Sequence, residues 1–198
     1  MTRQELIDAA LLHYSLHGYQ GATMRKIATE VGIKPASIYF FYENKEALFI
    51  AAFEQLLDNH FTAMKHILHE HKDASVEKIF SAMLKGIVSH HTGDLQATTA
   101  YISLVTSPIP EIKADLQKHM LKYTDWLVHS LESVLKRDFP LIPTSEVNRV
   151  FKQFVLLGNG VFWGINLYKG EDFEEQVALA DKMIHSIFDA LNSEYSGL

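Results

Sequence analysis

Apolar residues recur every three to four positions along most of this chain, which is the spacing of one face of an α-helix. The first such segment, from about Arg3 to His17, places Ile7, Leu11 and Tyr14 on one face, and Gly18 follows as a carboxyl-terminal cap. No run of alternating apolar residues demands a strand, and no repeat or low-complexity linker interrupts the pattern. The sequence therefore predicts an all-α fold.

Longer helices are predicted beyond residue 43. Asn44 can cap a long helix whose apolar stripe continues to about His71, and the break DFPLIPT ends another helix at Arg137. Gly170 separates the last two helices. The predicted ranges are 44–71, 75–91, 94–106, 111–137, 145–169 and 171–193.

The stretch TMRKIATEVGIKPASIYFFYENK, from Thr23 to Lys45, fits two short helices joined by a tight turn. Ile27 and Ala28 recur at helical spacing, and Gly32 is free to take a positive φ. This is the helix-turn-helix pattern, in which the second helix offers its early residues to base edges in the major groove. A generic helical hairpin would have the same spacing, so the pattern alone leaves both interpretations open.

The detail of this stretch resembles the amino-terminal DNA-binding domain of the tetracycline-repressor (TetR) family. The resemblance is carried by GYQGATMRKIATEVGIKPASIYFFYENKEALF and covers about the first quarter of the chain. It implies a three-helix DNA-binding domain over residues 1–47 and a larger helical domain over residues 48–198 for effector binding and dimerisation. The matching positions are Gly18, Tyr19, Thr23, Ile27, Ala28, Gly32, Tyr39, Asn44, Lys45 and Glu46.

The resemblance also implies which residues hold DNA and which read it. The Thr23 hydroxyl can cap the second helix near a phosphate, and Arg25, opposite Ile27 and Ala28, is the candidate for a bidentate guanine contact. Early residues of the next helix can hydrogen-bond to base edges or touch methyl groups, and two later positions match family contacts to phosphate. The candidate DNA-binding residues are Thr23, Arg25, Lys34, Pro35, Ala36, Ser37, Tyr39 and Lys45.

Two residues depart from the family pattern. Lys34 replaces a common serine, which loses a helix cap but adds a cation. Phe41 stands where a histidine or tyrosine often reaches the DNA backbone.

A net charge of −6 is unusual for a nucleic-acid binder, but the charged residues are unevenly distributed along the chain. Residues 1–48 hold five basic and five acidic residues, and four of the five bases lie between Arg25 and Lys45. The excess of acidic residues therefore lies after residue 48, where it would not repel the phosphates of bound DNA. We expect modest nonspecific affinity for DNA.

Composition narrows the class of protein further. The chain has no cysteine, which excludes disulfides and thiolate sites. No apolar run approaches the ~18 residues that a membrane span needs. The amphipathic, acid-containing amino terminus is unlike a signal peptide. We expect a cytoplasmic protein with no membrane partner.

The segment VFKQFVLLGNGVFWGINLY is apolar around most of its circumference. One face should meet the domain interior and the other a second subunit, and the TetR resemblance implies a four-helix interface built from the last two helices of each subunit. A central helix in a monomer is the alternative. We expect a homodimer that a charge at Ile187 or Phe188 would dissociate or unfold, and such a dimer would suit a palindromic operator.

Three glycines in the same segment, Gly158, Gly160 and Gly164, each cost up to about 1 kcal/mol in a helix interior. Close approach of another helix would explain them, and so would a ligand near Asn159. The family uses its larger domain to enclose a small-molecule effector, here expected to be apolar or aromatic. The candidate effector-binding residues are Tyr101, Tyr123, Trp126, Asn159 and Phe162.

Catalytic and metal chemistry have no support in the sequence. The eleven histidines include a cluster at His66, His69 and His71 and a pair at His90 and His91, which we interpret as solvated helix-end side chains. No nucleophilic triad, phosphate-binding glycine loop or HExxH motif is present. We expect no enzyme activity, no metal and no cofactor.

The sequence thus predicts a transcriptional regulator that binds double-stranded DNA, most simply a repressor released from its operator by an effector. The competing hypothesis is a helical small-molecule-binding protein or enzyme with no role on DNA.

Overall fold

The computed structural model describes residues 2–106 and 109–195. Within those residues the chain forms α-helices and one short 3-10 turn, Pro110–Ile112, and no strand is present, which confirms the predicted all-α class. The helices are α1 (Arg3–Gly21), α2 (Met24–Glu30), α3 (Pro35–Ile38), α4 (Lys45–Glu70), α5 (Val76–Gly93), α6 (Leu95–Thr106), α7 (Lys113–Asp138), α8 (Thr144–Leu167) and α9 (Glu171–Tyr195).

Most helices begin and end close to the predicted positions. Gly18 has a φ of 64° and interrupts α1 at the predicted position, but one further turn follows it and the carboxyl-terminal cap is Ala22. The Asn44 side chain accepts a hydrogen bond from the backbone N–H of Ala47 at 2.8 Å, which confirms it as the cap of α4. Helix α7 begins two residues later than predicted because the 3-10 turn precedes it.

The chain divides into two compact units. The first holds the described residues of Met1–Phe61 and Asp94–Lys122, and the second those of Thr62–Gly93 and Tyr123–Leu198. Helices α4 and α7 each contribute residues to both units. The functional boundary expected after residue 47 falls inside the first unit and stays a prediction.

The core of the first unit holds the short helices in place. Helix α1 packs on α2 and α6, and α2 packs on α3. Ile27, Ala28 and Ile38 are completely buried there. Aromatic rings fill the centre of this core, with Tyr14 edge-on to Phe53 at 4.9 Å between ring centroids.

The core of the second unit is formed by α5, α8 and α9, which pack on one another. Phe80 of α5 lies edge-on to Phe154 of α8 at 4.8 Å and to Phe188 of α9 at 5.1 Å. Phe188 is only 1% exposed, so it belongs to the core of its own subunit. A charge at Phe188 would therefore act on folding first, and Phe188 is the wrong residue with which to test a subunit interface.

Helix α8 has two different apolar faces. One face is buried within the second unit, whereas Leu156 and Leu167 on the other are each 71% exposed. A Cβ at Gly158 would lie 3.1 Å from the Ile87 side chain of α5, and a Cβ at Gly164 would lie 3.0 Å from Gln176 of α9. These two glycines allow neighbouring helices to approach closely, as the sequence suggested.

No helix among the described residues combines the length and the apolar character needed to cross a lipid bilayer.

Candidate nucleic-acid interface

The turn between α2 and α3 is fixed by its backbone. The Thr23 hydroxyl accepts a hydrogen bond from the N–H of Lys26 at 3.3 Å, which confirms the predicted cap at the start of α2. At the other end Gly32 has a φ of 71°, a conformation that is costly for residues with a Cβ. The N–H of Ile33 then donates to the carbonyl of Ala28 at 2.8 Å, which directs the chain into α3.

Helix α3 begins at Pro35, whose fixed φ suits the first helical position. Lys34 precedes it as the cap residue and makes no side-chain capping hydrogen bond, as expected for a lysine in place of a serine. Lys34, Pro35 and Ala36 are exposed, whereas Ser37 is half-buried. Of the four candidate readers on this segment, three are therefore open to a ligand and Ser37 is only partly so.

Arg25 and Lys26 lie on the exposed side of α2, opposite the buried pair Ile27 and Ala28. Within the part of the chain that the structure describes, neither Arg25 nor Lys26 forms an ion pair, and Lys34 forms none either. Three exposed cations on two adjacent helical segments are the arrangement that neutralises phosphates. Within the described residues, these three groups make no ion pair that a phosphate would have to displace.

Lys45 differs from those cations because its ammonium points inward. Its Nζ donates a hydrogen bond to the backbone carbonyl of Tyr19, and it lies 4.2 Å from the centroid of the Tyr19 ring. Burial lowers the pKa of Lys45. The contact ties the first turn of α4 to the end of α1, so the phosphate role implied by the family resemblance stays a prediction.

The segment after α3 carries exposed aromatic side chains. Tyr39 is 55% exposed and keeps its hydroxyl available, as a phosphate contact requires. Phe41, at the position where a histidine or tyrosine is frequent, is half-buried and packs against the core of the first unit. Sequence reasoning missed Phe40, which is 87% exposed. Positions 39–42 are four consecutive aromatic residues, and the sequence carries no signal for which of these rings is exposed.

The structure brings some of the candidate effector residues together. Tyr123 and Trp126 lie half-buried on α7, with their ring centroids 5.9 Å apart. Phe162 is buried on α8, whereas Asn159 of the same helix is exposed. Tyr101 belongs to the first unit, where burial raises the pKa of its hydroxyl. Effector binding by these five residues stays a prediction.

His91 departs from the interpretation as a solvated side chain. It is only 5% exposed in the second unit, and its ring lies edge-on to Phe162 with the centroids 4.7 Å apart. Burial, with a contribution from the neighbouring His90, lowers the pKa of His91 to about 4. His66, by contrast, has a side chain that is 69% exposed, as predicted. The sequence could not distinguish the buried His91 from the exposed His66, because both lie in helical segments with apolar and polar neighbours.

Residues 6–52 match the sequence model of the bacterial regulatory proteins of the tetR family. The negative transcriptional regulator IcaR of the biofilm operon icaADBC in Staphylococcus epidermidis is 28% identical over 134 residues, which cover 62% of this chain and 69% of IcaR. The transcriptional repressor AcnR of Corynebacterium diphtheriae is 39% identical over 51 residues, which cover 26% of this chain and 27% of AcnR.

The fold is shared with solved structures over nearly the whole chain. The transcriptional regulator FadR of Bacillus subtilis, in complex with stearoyl-CoA, superposes with a TM-score of 0.69 at 17% identity. The match covers 94% of this chain and 97% of that protein. At this identity the likeness concerns the fold alone. The curated relatives IcaR and AcnR are transcriptional regulators, which confirms the expectation of a regulator and not an enzyme.

The buried His91 gives the second unit a specific dependence on pH. Its folded pKa of about 4 lies below the ordinary value of 6.5, so the unfolded chain binds the proton first. The contribution of neutral His91 to the free energy of unfolding is therefore fully present above about pH 6.5. It is lost as the pH falls toward 4, by about 3 kcal/mol in total. We expect His91→Gln to show a shallower loss of melting temperature between pH 7.5 and 4.5 than the unsubstituted protein. His66→Gln should keep the full slope, and equal slopes in all three proteins would contradict the assignment.

Proposed function

Since this chain belongs to the TetR family of DNA-binding transcriptional regulators, we propose that it is a repressor that leaves its operator when a small-molecule effector binds. The observation that carries the proposal is the helix-turn-helix surface, where unpaired cations lie beside a recognition helix that is anchored by a buried isoleucine. A helical carrier or enzyme with no role on DNA would not need that surface. The repressors IcaR and AcnR favour negative control.

The roles on DNA follow the exposure of each side chain. We propose that Arg25 contacts guanine through its two-pronged guanidinium, and that Lys34 and Ser37 donate hydrogen bonds at the start of α3. Pro35 and Ala36 can touch only methyl groups or select for groove shape. Thr23 and Tyr39 are placed to hold phosphates. Lys45 can join them only if its ammonium leaves the carbonyl of Tyr19.

A palindromic operator requires two copies of this surface, and the second unit offers a face on which to pair them. Leu156, Gly160, Trp163 and Leu167 follow one another at helical spacing along α8, and Leu156 and Leu167 are among the most exposed apolar residues described. Nothing lies within 4 Å of a Cβ built at Gly160, so this side of α8 is open to a close neighbour. On α9 the corresponding exposed residues include Leu179 and Met183. We propose that these faces pair across a two-fold axis.

We propose that the effector site lies in the second unit, which holds Tyr123, Trp126 and Phe162. These residues offer apolar area together with the polar atoms of a hydroxyl and an indole N–H. FadR binds stearoyl-CoA, a ligand with a long apolar chain, within the same fold. We therefore propose an apolar or aromatic effector that acts in the cytoplasm.

Release from DNA requires that the effector favour an arrangement that cannot bind the operator. Helix α4 is continuous from Lys45 to Glu70 and supplies residues to both units, so it is the proposed route of coupling. The effector must bind the released state more tightly than the DNA-bound state, because equal affinity for both would shift nothing.

The effector proposal is tested on an operator obtained by selection from random duplexes. Acyl-CoA thioesters of different chain length and aromatic metabolites are screened for release of that duplex and for a rise in melting temperature. A ligand at 100 times its Kd should add about 2.7 kcal/mol to stability. Trp126→Ala should lose both responses, whereas Leu141→Ala, which removes an exposed apolar residue from the same unit, should keep them. Binding of DNA with no response to any compound would instead indicate constitutive repression.

The contacts to DNA are tested by substitution. Arg25→Ala should cost about 1–3 kcal/mol on the selected operator and relax its base preference, because a bidentate contact is lost. Lys45→Ala should weaken binding to all sequences similarly and reduce the slope of log K against log salt by about one if this lysine reaches phosphate. An unchanged slope with a lower melting temperature would instead identify Lys45 as an internal tie. The control Lys78→Ala, in the second unit, should change neither quantity.

The proposed dimer face is tested by charge. Replacing Leu156 and Met183 together by glutamate should raise the dimer dissociation constant by about 100-fold or more, because unpaired charges would be buried at the interface. Both side chains are exposed in a single subunit, so the variant should remain folded by circular dichroism. Sedimentation velocity at micromolar concentration measures the result, with Lys78→Glu as control. A folded variant that still sediments as a dimer would place the interface elsewhere.

A further inference from the structure

Phe40 is the most exposed large apolar side chain among the described residues, at 87%. It follows directly on the recognition helix α3 and on Tyr39. The Phe40 side chain has no polar atom and so forms no hydrogen bond. Within the described residues, its ring contacts no other aromatic ring. Neither a hydrogen bond nor a ring contact within the described residues therefore explains an aromatic side chain at this position.

The backbone on both sides of Phe40 is held by buried neighbours and by hydrogen bonds. Ile38 is fully buried and Tyr42 is 8% exposed, so the core of the first unit anchors the chain on both sides of it. The N–H of Phe41 donates to the carbonyl of Ile38 at 2.8 Å, and the N–H of Phe40 lies 3.4 Å from the carbonyl of Ser37. The ring is thus held out from a fixed turn and is not part of a loose terminus.

We propose that Phe40 reads the 5-methyl group of a thymine in the major groove of the operator. The inference rests on the proposed DNA-binding function and adds a specificity-determining residue to it. The thymine methyl is the one apolar group on the major-groove edges of the bases, and phenylalanine is among the side chains that contact it. A ring without polar atoms gains nothing from a phosphate, so the base edge is the partner that its chemistry fits.

The neighbouring residues support this partner over a protein surface. Lys34 is exposed at the start of α3, and Arg25 and Lys26 are exposed on α2. A segment with these free cations is drawn to the phosphates that border a groove. Insertion between stacked bases is the less suitable mode, because apolar wedges act from the minor groove and bend the duplex.

The test removes the methyl group from the DNA and the ring from the protein, separately and together. An operator half-site is first selected with the full-length protein from random duplexes. Each thymine of the half-site is then replaced in turn by deoxyuridine, which lacks only the methyl group. Affinities are measured for the unsubstituted protein, Phe40→Ala, Phe40→Leu and the control Leu95→Ala, which removes a side chain that is 63% exposed on α6.

Deoxyuridine at one position of the half-site should weaken binding of the unsubstituted protein by about tenfold. Phe40→Ala should lose about the same factor on the thymine operator and show no further loss with deoxyuridine, because both changes remove one contact. Phe40→Leu should recover part of the response, and Leu95→Ala should behave as the unsubstituted protein does.

Several results would overturn the inference. A half-site without thymine, or deoxyuridine effects that are equal in the unsubstituted protein and in Phe40→Ala, would show that Phe40 does not read a methyl group while DNA binding stands. Failure to select any sequence would overturn the proposed function together with the inference. Loss of folding in Phe40→Ala, seen as a collapse of the thermal transition, would show that the ring is a structural element. In that case Phe40→Leu, which keeps an apolar side chain, takes the place of Phe40→Ala in the deoxyuridine series, and a methyl effect as large as that of the unsubstituted protein would overturn the inference.

Discussion

The recognition helix α3 contains only four residues, Pro35–Ile38, and a helix of that length does not persist in water by itself. Its shape depends on the burial of Ile38 in the core of the first unit and on the turn at Gly32. The hydrogen bond from Ile33 to Ala28 then joins α3 to α2, whose own buried face is Ile27 and Ala28. The residues of α2 and α3 that are proposed to meet DNA are thus positioned by apolar contacts on the opposite side of the backbone.

The helix-turn-helix was the part of the fold that the sequence predicted best. The caps at Thr23 and Asn44 and the positive φ at Gly18 and Gly32 are local events, decided by residues within four positions of one another. Helical periodicity likewise predicted the order of the helices, because the apolar residues of each amphipathic face recur at helical spacing within one continuous segment.

Features set by distant parts of the chain were not predictable in this way. Lys45 meets the carbonyl of Tyr19, which lies 26 positions away in sequence, and a long flexible side chain gives no sign of which way it will turn. The pattern also showed that α8 and α9 were rich in apolar residues without showing which of them would meet their own subunit. Phe188 proved to be core, whereas Leu156 and Met183 were left exposed.

The inward orientation of Lys45 has a consequence for how the protein would search a chromosome. With that ammonium occupied, three exposed cations remain on the helix-turn-helix, at Arg25, Lys26 and Lys34. Sequence-independent affinity grows with the number of phosphates neutralised, so a surface with few free cations holds random DNA weakly. A bacterial genome presents roughly a million or more competing sites, and a weak hold on them leaves a larger share of molecules free to find the operator. A small number of copies per cell would then suffice to keep the operator occupied.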